Sequence, residues 1–277
     1  MVVAMAAFAV EDAFVKAAAG LLPIGQILIM FGVGGAFLFT CLAGVSKEPL
    51  LESDVLSRPM RIRAVFEVSG RLFYVMALAL TPLSSATVIL QATPIVVVAG
   101  AALVFGERVG WRRWCAIAIG LTGVVIIIRP GSDSFSALSI LAVLGMFGFA
   151  GRDLASRAAP ASLGTSVLGF YGFVSIVIAG VIYAVWSGEA FVSPDAGTLA
   201  FLVGAVLSGV LAYSALMKAM RTGDVSAVTP FRYSRLLFGI GFGVLVFNER
   251  LDSAMLIGSG LIVLSGLFIL WRGKQAA

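Results

Sequence analysis

Seven charged side chains lie inside apolar stretches of this sequence, where a charge is costly unless it meets a partner or a wet cavity. They are Glu11, Asp12, Lys16, Glu67, Arg71, Arg232 and Arg235. An arginine guanidinium presents a planar fork of donors that matches the two oxygens of a carboxylate. Arginines in this setting, with tyrosine and phenylalanine nearby, indicate a binding site for a small carboxylate with an apolar or aromatic body.

Arg71 has two interpretations. It lies four residues after Glu67 and three before Tyr74, so the three side chains share one face of a helix. Arg71 and Glu67 could form an ion pair that only holds the helix to its neighbours. Alternatively, Arg71 binds a substrate carboxylate and Tyr74 supplies a ring and a hydroxyl.

Arg232 and Arg235 are three residues apart and share a helical face, with Tyr233 between them. Pro230 removes a backbone donor just before them and bends the helix. If both guanidinium groups face a cavity, they give one wall of that cavity a positive charge. Arg232 is also near enough to the inner end of its helix to bind a lipid phosphate instead.

Further polar and aromatic residues extend this set. Gln91 lies in an apolar run beside Thr93 and Pro94, and Asp12 shares a stripe with Phe8 and Lys16. Tyr213 and the pair Phe170–Tyr171 could add aromatic walls, although ordinary packing also explains them. The predicted substrate-binding residues are Asp12, Arg71, Tyr74, Gln91, Tyr213, Arg232, Tyr233 and Arg235. Arg152 and Asp153 are predicted to pair at the inner mouth.

Catalysis is not indicated. The chain has no histidine, which removes the commonest general base and metal ligand, and it has no Asp-rich magnesium motif. Cys41 and Cys115 lie in apolar runs and are expected to be buried, neither bridged nor metal-bound. We therefore expect no enzyme activity, no metal and no cofactor. An intramembrane enzyme is the least favoured function.

The elements that must position these residues are membrane helices. The chain has 277 residues, 60% hydrophobic and 12% charged, with a mean hydropathy of +1.08. Runs of about 20 apolar residues, as a bilayer requires, fit ten times. We predict spans at 1–19, 24–45, 63–80, 83–105, 110–129, 134–155, 163–187, 196–219, 225–247 and 252–271. The polar stretch 46–63 leaves room for an amphipathic surface helix.

The positions of lysine and arginine predict the orientation. With the N-terminus in the cytoplasm, the inner loops hold 13 of these residues and the outer loops hold 2, Arg129 and Arg250. Cytoplasmic loops carry such an excess, so both termini are predicted to be cytoplasmic. The basic residues are thereby explained by membrane topology, and no nucleic-acid partner is expected. Membrane lipid is.

An internal repeat organises the ten spans. Shifting the sequence by 142 residues places Glu107–Arg108 on Glu249–Arg250, Gln91 on Tyr233 and Thr93 on Arg235 without a gap. Five spans is an odd number, so the second half is inserted upside down relative to the first. We predict an all-α integral membrane protein of two inverted five-helix repeats, 1–130 and 131–277, around a central cavity. Broken polar helices in matching positions of such repeats point to a transport site.

Two segments carry a family resemblance. MAAFAVEDAFVKAAAG and PFRYSRLLFGIGFGVLVFNERLD, together with a late Phe-x-Glu-Arg in each half, resemble the drug/metabolite transporter superfamily, EamA type. The resemblance implies a secondary transporter of the bacterial inner membrane, and export. Some bacterial members export amino acids, including aromatic ones. We therefore expect alternating-access export of amphipathic metabolites, most of all amino acids with aromatic or apolar side chains. The alternative is broad drug or cation efflux, with Glu11, Asp12 and Glu67 as the contacts.

Overall fold

The computed structural model describes residues 1–106, 110–128, 137–160, 162–221 and 229–274. Within these ranges the chain is helical and contains no β-strand. The α-helices are α1 (Val2–Ala19), α2 (Ile24–Ser46), α3 (Arg58–Leu80), α4 (Leu83–Leu90), α5 (Thr93–Phe105), α6 (Trp111–Ile128), α7 (Ser139–Arg157), α8 (Thr165–Ser187), α9 (Ala196–Arg221), α10 (Ser234–Leu245) and α11 (Ser253–Lys274). Two 3₁₀ turns, Ser53–Leu56 and Thr229–Tyr233, precede α3 and α10.

Local chemistry explains several helix ends. Pro82 follows the end of α3 and directly precedes α4, since proline is tolerated at the start of a helix and not in its interior. α8 ends at Gly188, whose φ of 64° is a left-handed conformation that glycine adopts without strain. The Asp195 side chain caps α9 by accepting a hydrogen bond from the Thr198 backbone N–H at 2.7 Å. Hydrogen bonds from Thr198 hold the pKa of this carboxyl below its ordinary value.

Within the described ranges, five helical stretches are long and apolar enough to cross a membrane. They are Ile24–Ser46, Leu83–Val104, Ser139–Ser156, Thr165–Ser187 and Ala196–Leu216. α1 and the part of α3 from residue 63 onward each contain three charged residues, which lowers their hydropathy. The apolar parts of α6 and α11 are shorter. These stretches indicate that the chain is a multi-pass membrane protein. The count of ten spans in two inverted repeats stays a prediction.

Two sequence-based expectations differ from the structure. The polar stretch 46–63 contains a single short 3₁₀ turn and the beginning of α3, so it forms no separate surface helix. Cys41 and Cys115 are exposed, because each lies on the outward face of its helix, where lipid would take the place of protein. Glu107 and Arg108 of the repeat, and Arg129 of the predicted outer loops, lie outside the described residues.

The helices pack in a regular set of pairs. The most extensive contacts join α2 to α8, α3 to α7, α6 to α11 and α1 to α9. α3 and α7 approach most closely at two glycines: a Cβ added to Gly148 would lie 2.3 Å from the Cα of Gly70. This contact places Tyr74 against Phe149, with ring centroids 5.7 Å apart at a near-perpendicular angle. The close approach of α3 and α7 therefore sets one wall of the bundle interior.

Candidate functional site

An interrupted helix and the 3₁₀ start of another helix meet in the middle of the bundle. The span 83–105 is broken at Gln91–Ala92, between α4 and α5, and the 3₁₀ turn Thr229–Tyr233 precedes α10. α4 packs against α10, and the Gln91 side chain donates a hydrogen bond from Nε2 to the Arg232 carbonyl at 2.9 Å. Because a helix break leaves backbone groups unpaired, a polar side chain is needed at this depth. The two breaks predicted from the repeat therefore lie in contact.

Arg235 is held by a carboxylate and two aromatic rings. Its Nη2 donates to Asp12 Oδ2 at 2.6 Å, and the Tyr74 hydroxyl donates to the same oxygen at 3.1 Å. The guanidinium carbon lies 5.0 Å from the Phe8 ring centroid and 5.7 Å from that of Tyr74. Charge pairing and ring contact together make this buried cation tolerable.

The partner of Arg71 is Glu11, not Glu67. Arg71 Nη1 contacts Glu11 Oε1 at 2.7 Å, and the Glu11 side chain is 1% exposed. The ion pair predicted between Arg71 and Glu67 on one helix is therefore wrong. Glu67 instead pairs with Arg63 at 3.2 Å, through Oε2, and with Arg152 at 3.3 Å, through Oε1. We call Arg71 and Arg235 the deep arginines. Their acidic partners, Glu11 and Asp12, are consecutive residues of α1.

A second group of charges lies nearer the end of the bundle where α1 begins. Arg152 pairs with Asp153 at 2.8 Å, as expected from the sequence, and Asp153 also pairs with Arg232 at 3.2 Å. Arg63 donates to the Tyr213 hydroxyl at 2.8 Å. We call Arg63, Glu67, Arg152, Asp153 and Arg232 the mouth cluster. It links α3, α7 and the turn before α10.

A small cavity, with about 50 Å³ of water-accessible space, lies between the deep arginines and the mouth cluster. Its charged lining residues among the described part of the chain are all arginines: Arg71, Arg152, Arg232 and Arg235. The other lining residues are Met5, Phe8, Tyr74, Leu90, Gln91, Thr93, Pro94, Phe149 and Leu216. The surface is therefore cationic and aromatic, and the carboxylates of Glu11 and Asp12 lie behind the guanidinium groups.

Some buried polar atoms near this cavity have no hydrogen-bond partner among the described residues: Glu11 Oε2, Asp12 Oδ1, Arg71 Nε and Arg235 Nε. The same holds for Ser57 Oγ and the Tyr233 hydroxyl, whose residues do not line the cavity. Buried polar groups are normally paired, so a local group of exceptions calls for an explanation such as a bound polar ligand. The described residues contain no group of three or more Cys, Asp or Glu placed to hold a metal ion.

The predicted site residues divide into three groups. Those lining the cavity are Arg71, Tyr74, Gln91, Arg232 and Arg235. Asp12 lies one layer behind, 1% exposed.

Tyr233 and Tyr213 are outside the cavity lining. The Tyr233 hydroxyl packs against Gly266 of α11, and Tyr213 binds Arg63 and stacks edge-on against Phe39. A helix turns 100° per residue, so Tyr233 points away from the face shared by its two arginine neighbours.

Phe149 is a lining residue that the sequence did not single out. Its ring centroid lies 5.7 Å from the Arg71 guanidinium and 4.8 Å from that of Arg152. Phe149 occurs in an ordinary apolar run, GMFGFAGRD, where a phenylalanine is most often a packing residue. Only the spacing to Arg152 and Asp153, three and four residues later on one helical face, could have pointed to it.

The other end of the bundle is closed by an ionic contact between the two halves of the chain. Glu249 Oε1 accepts from the Leu83 backbone N–H at 2.6 Å, and Glu249 Oε2 accepts from that of Ser84 at 2.9 Å, which caps α4. Lys16 donates to the Thr81 carbonyl at 2.6 Å and lies 4.0 Å from Glu249. Among the described residues, these contacts join the two halves of the chain at the end opposite the mouth cluster.

Known proteins resemble this chain over nearly its whole length. The EamA-like transporter family matches residues 1–129 and 137–271. An S-adenosylmethionine uptake transporter of Rickettsia bellii (strain RML369-C) is 26% identical over 215 residues, covering 78% of this chain and 73% of the relative. A riboflavin transporter of Vibrio cholerae is 29% identical over 218 residues, covering 78% of this chain and 72% of the relative.

A third relative is matched over a greater length than these two. A pseudopaline exporter of Pseudomonas aeruginosa (strain UCBPP-PA14) is 28% identical over 281 aligned positions, covering 99% of this chain and 95% of the relative. The fold is also similar to that of a crystal structure with 18% sequence identity, with a TM-score of 0.68. The superposition covers 99% of this chain and 97% of the chain in that crystal structure. At that identity the structural likeness shows a shared fold.

Proposed function

This chain belongs to the EamA-like transporter family, and from that premise we propose that it exports small amphipathic carboxylates by alternating access. Amino acids with aromatic or apolar side chains are the proposed substrates. In this proposal Arg71 and Arg235 bind the carboxylate, and Phe8, Tyr74 and Phe149 contact the apolar body. Gln91 and Arg232 complete the site, and Asp12 positions Arg235.

One observation carries this proposal: the charged residues that line the cavity in the described part of the chain are all arginines. Glu11 and Asp12 are each 1% exposed, and Glu67 is 3% exposed. A cationic drug entering the cavity would meet guanidinium groups before the carboxylates of Glu11 and Asp12. Coulomb repulsion in a poorly solvated site therefore disfavours the drug-efflux alternative. An anionic head group is attracted by the same arrangement.

The relatives agree with an amphipathic substrate and differ in the compound. Their names give S-adenosylmethionine, riboflavin and pseudopaline. S-adenosylmethionine combines a planar base with an amino-acid group, and riboflavin combines a planar ring system with a polar chain. Rings and polar ends of this kind suit a cavity lined by Phe8, Tyr74, Phe149 and arginines. Export as the direction is supported by the pseudopaline exporter, which matches 99% of this chain.

The packing of the helices supports two repeats. The 142-residue shift maps α1 onto α7, α2 onto α8, α3 onto α9 and α6 onto α11, and it maps the break at Gln91 onto the start of α10. It also exchanges the α1–α9 contact with the α3–α7 contact, and the α2–α8 and α6–α11 contacts map onto themselves. A two-fold relation between halves produces this pattern, as expected for a rocking mechanism around a midplane site.

We expect the carboxylate to decide recognition. Phenylalanine should show saturable counterflow in proteoliposomes, and analogues that keep the carboxylate should compete for it. Phenylalanine amide and phenylalanine methyl ester should compete at least about tenfold less well, the ratio that corresponds to ~1.4 kcal/mol from a charge-assisted hydrogen bond. If the amide and the ester compete as well as the acid, the arginine–carboxylate assignment is wrong and drug efflux gains support.

The orientation can be tested with single cysteines. In a C41A/C115A background, which removes the two exposed native thiols, Glu189→Cys should react with an impermeant thiol reagent in intact cells. Lys274→Cys should react only after the cells are opened, because the proposed topology places both termini in the cytoplasm. Labelling of the Lys274→Cys variant in sealed cells, with protection of the Glu189→Cys variant, would show that the orientation is the opposite of the proposed one.

A further inference from the structure

The four cavity arginines lie at two levels. Arg71 and Arg235 pair with Glu11 and Asp12 in the middle of α1, and their side chains are 10% and 13% exposed. Arg152 and Arg232 belong to the mouth cluster, and their side chains are 15% and 20% exposed. The Phe149 ring stands between the levels, in contact with Arg71 on one side and Arg152 on the other. A ligand that reaches the deep arginines therefore passes the outer pair.

The two levels differ in charge balance. At the deep level two arginines face two carboxylates, so the level is neutral before a ligand binds. The mouth cluster has three arginines, Arg63, Arg152 and Arg232, against the two carboxylates of Glu67 and Asp153. Counted over these five described residues alone, the mouth cluster carries a surplus of one positive charge. A surplus charge at a low-dielectric depth attracts an anion more strongly than it would in water.

Arg232 is the arginine of the mouth cluster with the fewest bonds to described residues. Arg63 donates to Glu67, Tyr213, Ser156 and the Leu168 carbonyl. Arg152 makes two bonds to Asp153 and one to Glu67. The Arg232 guanidinium contacts Asp153 through Nη2 alone among the described residues, at 3.2 Å. It also lines the cavity and is the most exposed of the four arginines, so it is best placed to bind a ligand.

We propose that Arg232, supported by Arg152, forms a second oxyanion subsite at the mouth of the cavity, so that the preferred substrates carry an oxyanion group at each end of an apolar body. This inference rests on the proposed function, since the first oxyanion is the carboxylate assigned to Arg71 and Arg235. The apolar body would lie beside Phe149. A carboxylate or a phosphate fits the subsite equally, because arginine binds either with two parallel hydrogen bonds.

A matched pair of competitors tests the second subsite. 4-Carboxyphenylalanine and 4-carbamoylphenylalanine have nearly the same shape and differ by one negative charge at the far end of the ring. Competition against labelled phenylalanine should favour the carboxy compound about tenfold, the ratio equivalent to ~1.4 kcal/mol. In Arg232→Gln that ratio should fall close to one, and in Arg232→Lys it should be intermediate. The exposed Arg61→Gln removes a charge near the same end of the bundle and should leave the ratio unchanged.

The outcomes separate this inference from the proposed function. If phenylalanine is transported and the two ring-substituted analogues compete equally in the wild-type protein, the second subsite is overturned and the carboxylate site stands. If no phenylalanine derivative competes, the proposed function itself fails. The wild-type ratio alone decides this, so poor folding of Arg232→Gln would not remove the test.

A lipid phosphate is the other source of an oxyanion at this position. The competition is therefore measured in phosphatidylcholine vesicles and in vesicles that contain phosphatidylglycerol. A substrate subsite gives the tenfold ratio in both. If the ratio is near one in phosphatidylcholine, and Arg232→Gln impairs transport only with phosphatidylglycerol, the arginine binds lipid and the proposal is wrong.

Discussion

Replacing Arg235 by lysine will lower the initial transport rate at least about tenfold, with near-normal amounts of folded protein in the membrane. In the wild-type protein the Arg235 guanidinium lies 2.6 Å from the Asp12 carboxylate. Lysine keeps a positive charge facing Asp12, so the buried carboxylate retains a counter-ion. It loses the planar fork and the flat contact with the Phe8 and Tyr74 rings. Loss of one charge-assisted hydrogen bond to substrate, ~1.4 kcal/mol, corresponds to that tenfold change.

The measurement is the initial counterflow rate per folded protein in proteoliposomes, with the folded fraction taken from size-exclusion chromatography. Arg61→Lys is the matched control, because Arg61 is exposed and lies outside the cavity. Full activity of Arg235→Lys beside a selective transport loss in Arg71→Lys would move the carboxylate site to α3 alone. A joint loss of folding and activity in Arg235→Lys would assign Arg235 a structural role.

Replacing Glu11 by glutamine will destabilise the protein by about 3–5 kcal/mol, the usual cost of leaving one member of a buried ion pair without its partner. Arg71 would then keep a charge in a site where its side chain is 10% exposed. The loss is large beside the marginal stability of folded proteins. It should appear as a lower melting temperature in detergent and a smaller folded yield, in addition to any loss of transport.

A double-mutant cycle identifies the partner of Arg71. If Glu11 is the partner, Glu11→Gln and Arg71→Gln together will cost much less than the sum of the two single changes, because no uncompensated charge remains. Glu67→Gln combined with Arg71→Gln should be close to additive, since Glu67 pairs with Arg63 and Arg152. The reverse pattern of coupling would restore the ion pair within α3 that the sequence suggested.

Several features of the cavity could be predicted from the sequence. Charges inside apolar stretches are expected to face a wet interior, and Arg71, Arg232 and Arg235 do line the cavity. The repeat placed two helix breaks in matching positions, and these breaks touch through the Gln91–Arg232 hydrogen bond. Composition and periodicity suffice for such statements, because each concerns one helix or one pair of equivalent positions.

The pairing of the charges could not be predicted. Helical spacing favoured Glu67 for Arg71, four residues away, whereas the partner is Glu11, separated by 60 residues. Tyr233 adjoins Arg232 in sequence but contacts Gly266 of another helix. Phe149 is an apolar residue among many, and its position between two arginines depends on the close approach of α3 and α7.

The sequence by itself therefore determined the class of protein, its family and the helices that carry the charges, because long apolar runs and isolated charges have few structural solutions in a bilayer. The tertiary structure decided which carboxylate neutralises which arginine, which aromatic rings face the cavity and which end of the bundle is closed. Those properties depend on the rotation and approach of helices that are distant in sequence. Local spacing constrains neither, and a turn of 100° per residue is enough to move a side chain from the cavity to the packed interior.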